Sequence, residues 1–368
     1  MSVRESAPIR RSIEVEYWVV DEDGRLTEPG ALADADGAER EFVEPVLEVK
    51  TPPCETAAEL RTALLDRLRG VLRRADDAGK RLVPLATPVD HDEIAEREDE
   101  RTRIQSRAVG ERFEYVRPCA GTHVHVEQQP GHEVAQYNAL VALDPALALV
   151  NSSPYFRGEP VAAGARSKCY RRLAYDGLAE QGELWPYVED VDDWEERLRR
   201  RYAEFVEAAV DAGVDRSEVE STFDPENAVW TPVKFRAEFG TVEWRAPDTA
   251  LPSQVLRLAD DVVGVVERVR EDGFEVDEDG RVAESGVVAP PFEDVRDYVD
   301  AAIRDGLDSS AVRAYLDRMG FDVDAYEPLT SELDGHGAVS RERARDLRLE
   351  HADRLERDVQ RAQSVRSD

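Results

Sequence analysis

Apolar and polar residues alternate with a period of two in four separate stretches of the chain. Residues 12–20 set Ile13, Val15, Tyr17 and Val19 against Glu14 and Glu16, and 42–50 set Val43, Leu47 and Val49 against Glu44 and Glu48. Residues 121–128 set Val124 and Val126 against His123, His125 and Glu127, and 241–246 set Val242 and Trp244 against Glu243 and Arg245. Successive side chains of a strand point to opposite faces, so each stretch predicts a strand with one apolar and one ionisable face. Two more strands are expected at 82–87 and 229–238, the second forming a hairpin with 241–246 around Gly240. Helical spacing marks 55–78, through Leu60, Leu64, Leu65, Leu68 and Leu72 with Gly79 as its stop. It also marks 133–150, 192–212, 253–271, 294–305, 308–318 and 338–362. The last of these is so charged that a solvated surface helix is expected.

The remaining segments are less regular. Residues 21–40 read as a loop, and 90–116 is charge-rich without a clear period. The stretch 151–190 has little periodicity and is long enough to be functional, as aperiodic segments often are. Asn151-Ser152-Ser153-Pro154 reads as a helix terminus and Asp334-Gly335-His336-Gly337 as a turn. Strands joined by helices and hairpins in irregular order, with no repeat and no long linker, predict an α+β fold around a mostly antiparallel sheet. A single domain over 1–368 follows, ending in the charged helix at 338–362.

Composition qualifies this pattern. Acidic residues number 80 against 48 basic ones, for a formal net charge of −32, and Lys50, Lys80, Lys168 and Lys234 are the only lysines. Such a surface is soluble in concentrated salt, where screening removes the self-repulsion, and predicts a halophilic source. It argues against nucleic acid or an anionic membrane as partner, since no basic block stands apart from neighbouring acids. Cys54, Cys119 and Cys169 are widely spaced and show no C-x-x-C, so neither a disulfide framework nor a zinc ribbon is predicted. With no membrane-length apolar run and no apolar signal core in Met1 to Arg11, a cytoplasmic protein is expected.

Composition also devalues acids as signals. With 80 of them in 368 residues, an acid-x-acid pair arises at roughly one position in twenty by chance, so Glu14 and Glu16 alone prove little. A sheet whose wet face is merely decorated with acids would look the same. The histidines discriminate better: with six in the chain, a His-x-His is expected on the order of a tenth of a time. Gly121-Thr122-His123-Val124-His125 therefore carries weight. Carboxylates and an imidazole are suitable ligands for Mg²⁺ or Mn²⁺, and Arg245, beside Glu243, is suited to clamp a transferring phosphoryl group. Neither G-x-x-x-x-G-K-[ST] nor G-x-G-x-x-G occurs, and no Ser-His-Asp arrangement can be assigned.

Five segments, in order, resemble the motifs of the carboxylate-amine ligase branch of glutamate-cysteine ligases. They are Ile13-Glu14-Val15-Glu16-Tyr17, Val46 to Pro53 (VLEVKTPP), Gly121 to Val126 (GTHVHV), Asn151 to Gly158 (NSSPYFRG) and Phe239 to Arg245 (FGTVEWR), spanning 12–248. The resemblance implies a glutamine-synthetase-like fold, a curved antiparallel sheet with helices outside. It implies ATP-dependent joining of the γ-carboxylate of L-glutamate to L-cysteine with Mg²⁺ or Mn²⁺, and Glu14, Glu16, Glu48, Glu243 and His123 as metal ligands, with Glu44 a further candidate. Arg245 matches the arginine that contacts transferred phosphate, and Glu243 and Arg245 are the expected catalytic pair. Lys234 and Arg236 are further candidates for phosphate contact, a surface or structural role being the alternative. His125 lies where relatives vary. Ser12 replaces the usual glycine before the first glutamate, and Gly164 to Lys168 aligns poorly with the family's substrate loop. Open alternatives are another acceptor amine, a metal-dependent hydrolase on the same face, and a non-catalytic salt-adapted protein. The expected partners are small molecules, and a homo-oligomer is compatible with the sequence.

Overall fold

The computed structural model describes residues 7–364, apart from 176, 179, 284 and 334–336. The opening residues 1–6, read above as free of a signal core, and Asp334-Gly335-His336 of the expected turn lie outside the described residues.

The period-two segments assemble into one sheet. Its strands are β1 (Arg11–Asp21), β2 (Ala38–Arg40), β3 (Val46–Lys50), β4 (Lys80–Val83), β5 (Thr122–Glu127), β6 (Val233–Arg236) and β7 (Thr241–Trp244). The order is β2-β3-β1-β5-β7-β6, with β4 also on β1, and every pairing is antiparallel. β6 and β7 form the expected hairpin, closed by Gly240 at φ +60°, a left-handed conformation that glycine adopts at no steric cost. Thr51 pins the end of β3: its Oγ1 accepts the Ile13 N–H at 2.9 Å and its own N–H donates to the Ile13 carbonyl at 2.9 Å. The resulting register aligns Glu16 with Glu48, Glu14 with both Lys50 and His123, and His125 with Glu243, which in turn faces Lys234. Side chains distant in sequence thus form neighbouring rows on one face.

The opposite face is dry. Ile13, Val15, Tyr17, Val19, Leu47, Val49, Val124, Val126, Val242 and Trp244 join the largest apolar cluster, which runs from Ile9 to Ala362. Helices α1 (Ala57–Asp77), α2 (Glu100–Val109), α3 (Glu133–Ala142), α4 (Val191–Asp211) and α5 (Pro252–Asp272) follow in chain order, then α6 (Phe292–Asp305), α7 (Ser310–Arg318) and α8 (Arg341–Ser364). α1 begins where Thr56 Oγ1 accepts the Glu59 N–H and stops before Gly79, at φ +62°. α3 is shorter than its apolar run because the chain passes at Asp144-Pro145 into a 3₁₀ helix over Asp144–Val150. A three-stranded sheet at Phe274–Val276, Arg281–Ala283 and Gly286–Ala289 was not foreseen; its strands are too short to show a period.

The charged α8 is not the solvated helix expected. Ala344, Leu347, Ala352, Leu355 and Val359 are buried along it, and Ala344, Leu347 and Ala352 pack with Trp18, Val20 and Val83. The apolar stripe is narrow, and part of what α8 buries is polar. Arg348 is 4% exposed and donates to the carbonyls of Pro88 and Gly24, each at 2.8 Å, and to that of Asp90. The helix thereby covers one end of the glutamate-bearing face, and the other end stays open as a cleft.

Candidate active site

Among the described residues the buried acids are Glu48, Asp144, Glu243 and Asp248. In so acidic a chain this selection matters, since burying a carboxylate is costly unless it is paired. Glu48 and Glu243 both line a cleft of about 370 Å³ over the open part of the sheet, with Glu14, Glu16, Glu41, Lys50, His123, Arg166, Lys234, Arg236 and Arg245. Phe42, Phe113, Tyr170, Tyr175 and Trp230 supply apolar wall, and Arg101 and Gln105 come from α2.

The carboxylates fall into two overlapping groups. Oxygens of Glu14 and Glu48 lie with a ring nitrogen of His123 within 4.8 Å of one another, and so do oxygens of Glu16, Glu41 and Glu48. Glu48 is common to both. His123 Nδ1 is 3.1 Å from Glu14 Oε2 and 3.5 Å from Glu243 Oε1, and Nε2 is 3.9 Å from Glu16 Oε1. The crowding shows in the protonation equilibria. Burial, reinforced by Glu41 and Glu14, pushes Glu48 well above the usual carboxylate range. Burial and Glu41 push Glu16 up to about 7, and burial raises Glu41. Burial and nearby Arg245 push His123 down to about 4, leaving a neutral imidazole with a lone pair to offer. Burial would also raise Glu243, but Arg245 beside it holds it below the usual range.

These residues fit a divalent ion. The donors are hard oxygens and one imidazole, their repulsion calls for added positive charge, and Glu243 Oε1 is buried without a hydrogen-bond partner. Glu14, Glu48 and His123 would hold one ion, and Glu16, Glu41 and Glu48 a second.

Cations line the adjoining wall. Arg236 Nη1 donates to Glu243 Oε2 at 2.8 Å, and Arg245 Nη1 is 3.6 Å from Glu243 Oε1. Arg166 is 3% exposed and donates from Nη1 to the Ala246 carbonyl at 2.9 Å and from Nη2 to the Arg245 carbonyl at 3.2 Å. It also explains Gly121. A Cβ there would stand 2.5 Å from Arg166 Cζ and 2.7 Å from Nε, so the guanidinium occupies the space a side chain would need. The Gly121 N–H in turn donates to Glu16 Oε2 at 2.6 Å. From the dry face, Trp244 Nε1 donates at 2.9 Å to Asp144, which pairs with Arg171 at 2.8 Å, both fully buried. β7 is thus held from both sides.

The family model for glutamate-cysteine ligase family 2 matches residues 5–255. The chain belongs to this family. A Rubrobacter xylanophilus protein provisionally assigned as glutamate-cysteine ligase 2-3 is 29% identical over 271 residues, covering 69% of this chain and 68% of that protein. A bifunctional glutathione synthetase from Pasteurella multocida superposes with a TM-score of 0.57 at 14% identity, over 96% of this chain. The chain spans about half, 53%, of that enzyme's length. A glutamate-cysteine ligase from Francisella tularensis, solved in complex with AMP, gives a TM-score of 0.52 at 11% identity, over 98% of this chain and 94% of the other. These structural likenesses establish a shared fold, and family membership makes the chain a carboxylate-amine ligase. Among the described residues no helix is long and apolar enough to cross a membrane.

Set against the family's motifs, Glu14, Glu16, Glu48, His123, Glu243, Lys234, Arg236 and Arg245 all line the cleft, and Glu44 does not. Glu44 is exposed, with its N–H on the Ala95 carbonyl. The alternation that selected it breaks at Pro45, because the chain turns there and β3 begins only at Val46; Glu41, before the turn, enters the cluster instead. His125 sits behind the cleft wall, Nδ1 at 3.1 Å from Thr241 Oγ1 and Nε2 at 3.8 Å from Glu14. Lys234 turns its ammonium to the carbonyls of Glu226 at 2.7 Å and Val229 at 3.3 Å, and burial and Arg245 lower it to about 7. The Asn151-Ser152-Ser153 motif is structural. Ser152 Oγ accepts the Ala86 N–H, Ser153 Oγ lies 2.6 Å from Thr87 Oγ1, and Asn151 donates to the Ala302 carbonyl. Arg166, Tyr170, Tyr175 and Gln181 bring the aperiodic 151–190 stretch into the cleft. Arg166 was missed because it lies in the segment that aligned poorly, and the glycine before Thr122 was its only trace in the sequence.

Proposed function

We propose that the whole described chain acts as one catalytic unit that joins the γ-carboxylate of L-glutamate to the amine of L-cysteine at the expense of ATP. A γ-carboxylate oxygen attacks the γ-phosphorus of ATP, and the bond to the departing ADP breaks. The cysteine amine then attacks the acyl carbon of γ-glutamyl phosphate, loses a proton, and phosphate leaves. The observation that carries this reading is the opposition of a carboxylate cluster sharing Glu48 to the guanidinium of Arg245, 3.6 Å from Glu243. Mg²⁺ or Mn²⁺ at the cluster would supply charge neutralisation for the phosphates. Arg245 supplies a fixed positive charge for the phosphoryl group in transfer, and Glu243 holds Arg245 and Arg236 in place. Arg236 extends the positive wall toward the polyphosphate, whereas Lys234, with its ammonium on the Glu226 and Val229 carbonyls, takes the structural role. The acyl phosphate must be kept from water, and the 151–190 segment, whose Arg166, Tyr170 and Tyr175 already wall the cleft, is suited to that task.

The test is ADP and phosphate production in concentrated salt with Mg²⁺, glutamate, cysteine and ATP, omitting one component at a time. Release is expected only with all of them. Release supported by another amine but not by cysteine would overturn the acceptor, and turnover without ATP would overturn the ligase reading in favour of a hydrolase. The high-salt buffer follows from the net charge of −32, and the cytoplasm, as a reducing compartment holding ATP, is the setting the three free cysteines suit.

A further inference from the structure

One cation stands inside the carboxylate cluster rather than across from it. Lys50, the last residue of β3, lies in register with Glu14 and lines the cleft. Its Nζ is 2.9 Å from Glu48 Oε2, 3.8 Å from Glu14 Oε1 and 3.0 Å from Glu39 Oε2. Glu14 and Glu48 form one candidate cation site together with His123. An ammonium and a divalent ion cannot both take the same Glu48 oxygen at full strength. Glu39 differs from the other two. It sits on edge strand β2 opposite Glu48, its side chain is 62% exposed, and it belongs to neither metal group.

We propose that Lys50 is a tethered cation that fills the carboxylate cluster in the absence of a divalent ion, and that Glu39, which already shares its ammonium, retains it when an ion takes Glu48. The inference rests on the metal reading given above. Residue choice supports it, because the chain has 48 basic residues and only four lysines, and one of those four stands here. A guanidinium would bind carboxylates through a rigid two-pronged fork and resist displacement. An ammonium on a flexible stem is a point charge that can shift between neighbouring acceptors. The arrangement preassembles Glu14 and Glu48 against their mutual repulsion and lowers the affinity for the first ion by competition.

The experiment is Mn²⁺ binding to the full chain, stripped with chelator and titrated with Mn²⁺ alone in high-salt buffer, read by electron paramagnetic resonance of the free ion. Lys50→Met removes the competitor and keeps the stem, so binding should tighten about tenfold. Lys50→Arg should bind no more tightly than the unaltered chain. Glu39→Gln removes the resting place, leaves Lys50 on Glu48, and should weaken binding about threefold. Unchanged or weaker binding by Lys50→Met overturns the proposal, as does an unaltered affinity in Glu39→Gln. If Lys50→Met fails to fold, Glu39→Gln at its exposed edge position decides alone. If the unaltered chain and every variant bind no Mn²⁺, the metal reading falls together with the proposal; if the unaltered chain binds and the variants match it, only the role of Lys50 falls.

Discussion

Gly121→Ala is a small change with a large expected effect. The backbone at Gly121 is not in the left-handed region, so alanine meets no conformational penalty and the cost is steric. The added Cβ lies 2.5 Å from Cζ and 2.7 Å from Nε of a guanidinium that is 3% exposed and bonded to the carbonyls of Ala246 and Arg245. Expelling Arg166 forfeits hydrogen bonds from a charged group, about 1.5–3 kcal/mol each. Retaining it forces overpacking, about 1–3 kcal/mol. The chain takes the cheaper course, so a loss of about 2 kcal/mol is expected. Arg166→Ala should lose about 4 kcal/mol, mostly from two carbonyls left without this donor. In the double variant the new methyl enters vacated space, so the combined loss should stay at about 4 kcal/mol, giving a coupling of about 2 kcal/mol. Urea unfolding of the four chains in one high-salt buffer measures this. Losses that add to within about 0.5 kcal/mol would show that Arg166 does not fill the place of a side chain at Gly121.

Glu48→Gln should reduce ATP-dependent phosphate release by at least about 100-fold. Near-normal turnover would count against a shared ligand. Asp248 is 1% exposed, accepts the Ser152 N–H at 3.0 Å, and is pushed up to about 7 by burial. Its folded value exceeds the unfolded one, so the native state holds the extra proton. The stabilisation is fully present below about pH 4 and is lost as pH rises through about 7, on the order of 4 kcal/mol in all. Asp248→Asn should flatten that slope in unfolding curves taken across the window. Asp144→Asn leaves Arg171 buried without its counter-ion and should destabilise by about 3–5 kcal/mol, with a change in Trp244 fluorescence; a loss below about 1 kcal/mol would contradict the pairing.

What was legible in the sequence is what a strand writes with a period of two. Glu14, Glu16, Glu48, His123 and Glu243 were found because each sits within a regular strand, where neighbours two apart must share a face. Glu41 was lost, and Glu44 taken in its place, because alternation holds only while the backbone stays extended, and the chain turns before Val46. Arg101, Arg166 and Tyr170 come from segments with no period of their own, and long-range packing alone brings them to the cleft. The C-terminal helix was misjudged for a related reason. Its apolar residues are few and spaced by three to five positions, so charge dominates its composition while burial dominates its role.

The placement of that helix has a consequence for how the protein is made. Trp18 and Val20 are translated long before Ala344, Leu347 and Ala352, which share their cluster. Val43, Val46, Val83, Leu85 and Val89 shield part of the indole and valine earlier, but this side of the patch closes only once the helix Arg341–Ser364 has been made. Until then its remaining apolar surface is open to association with other chains. Agents that slow elongation just ahead of this helix should therefore raise the share of chains lost to aggregation.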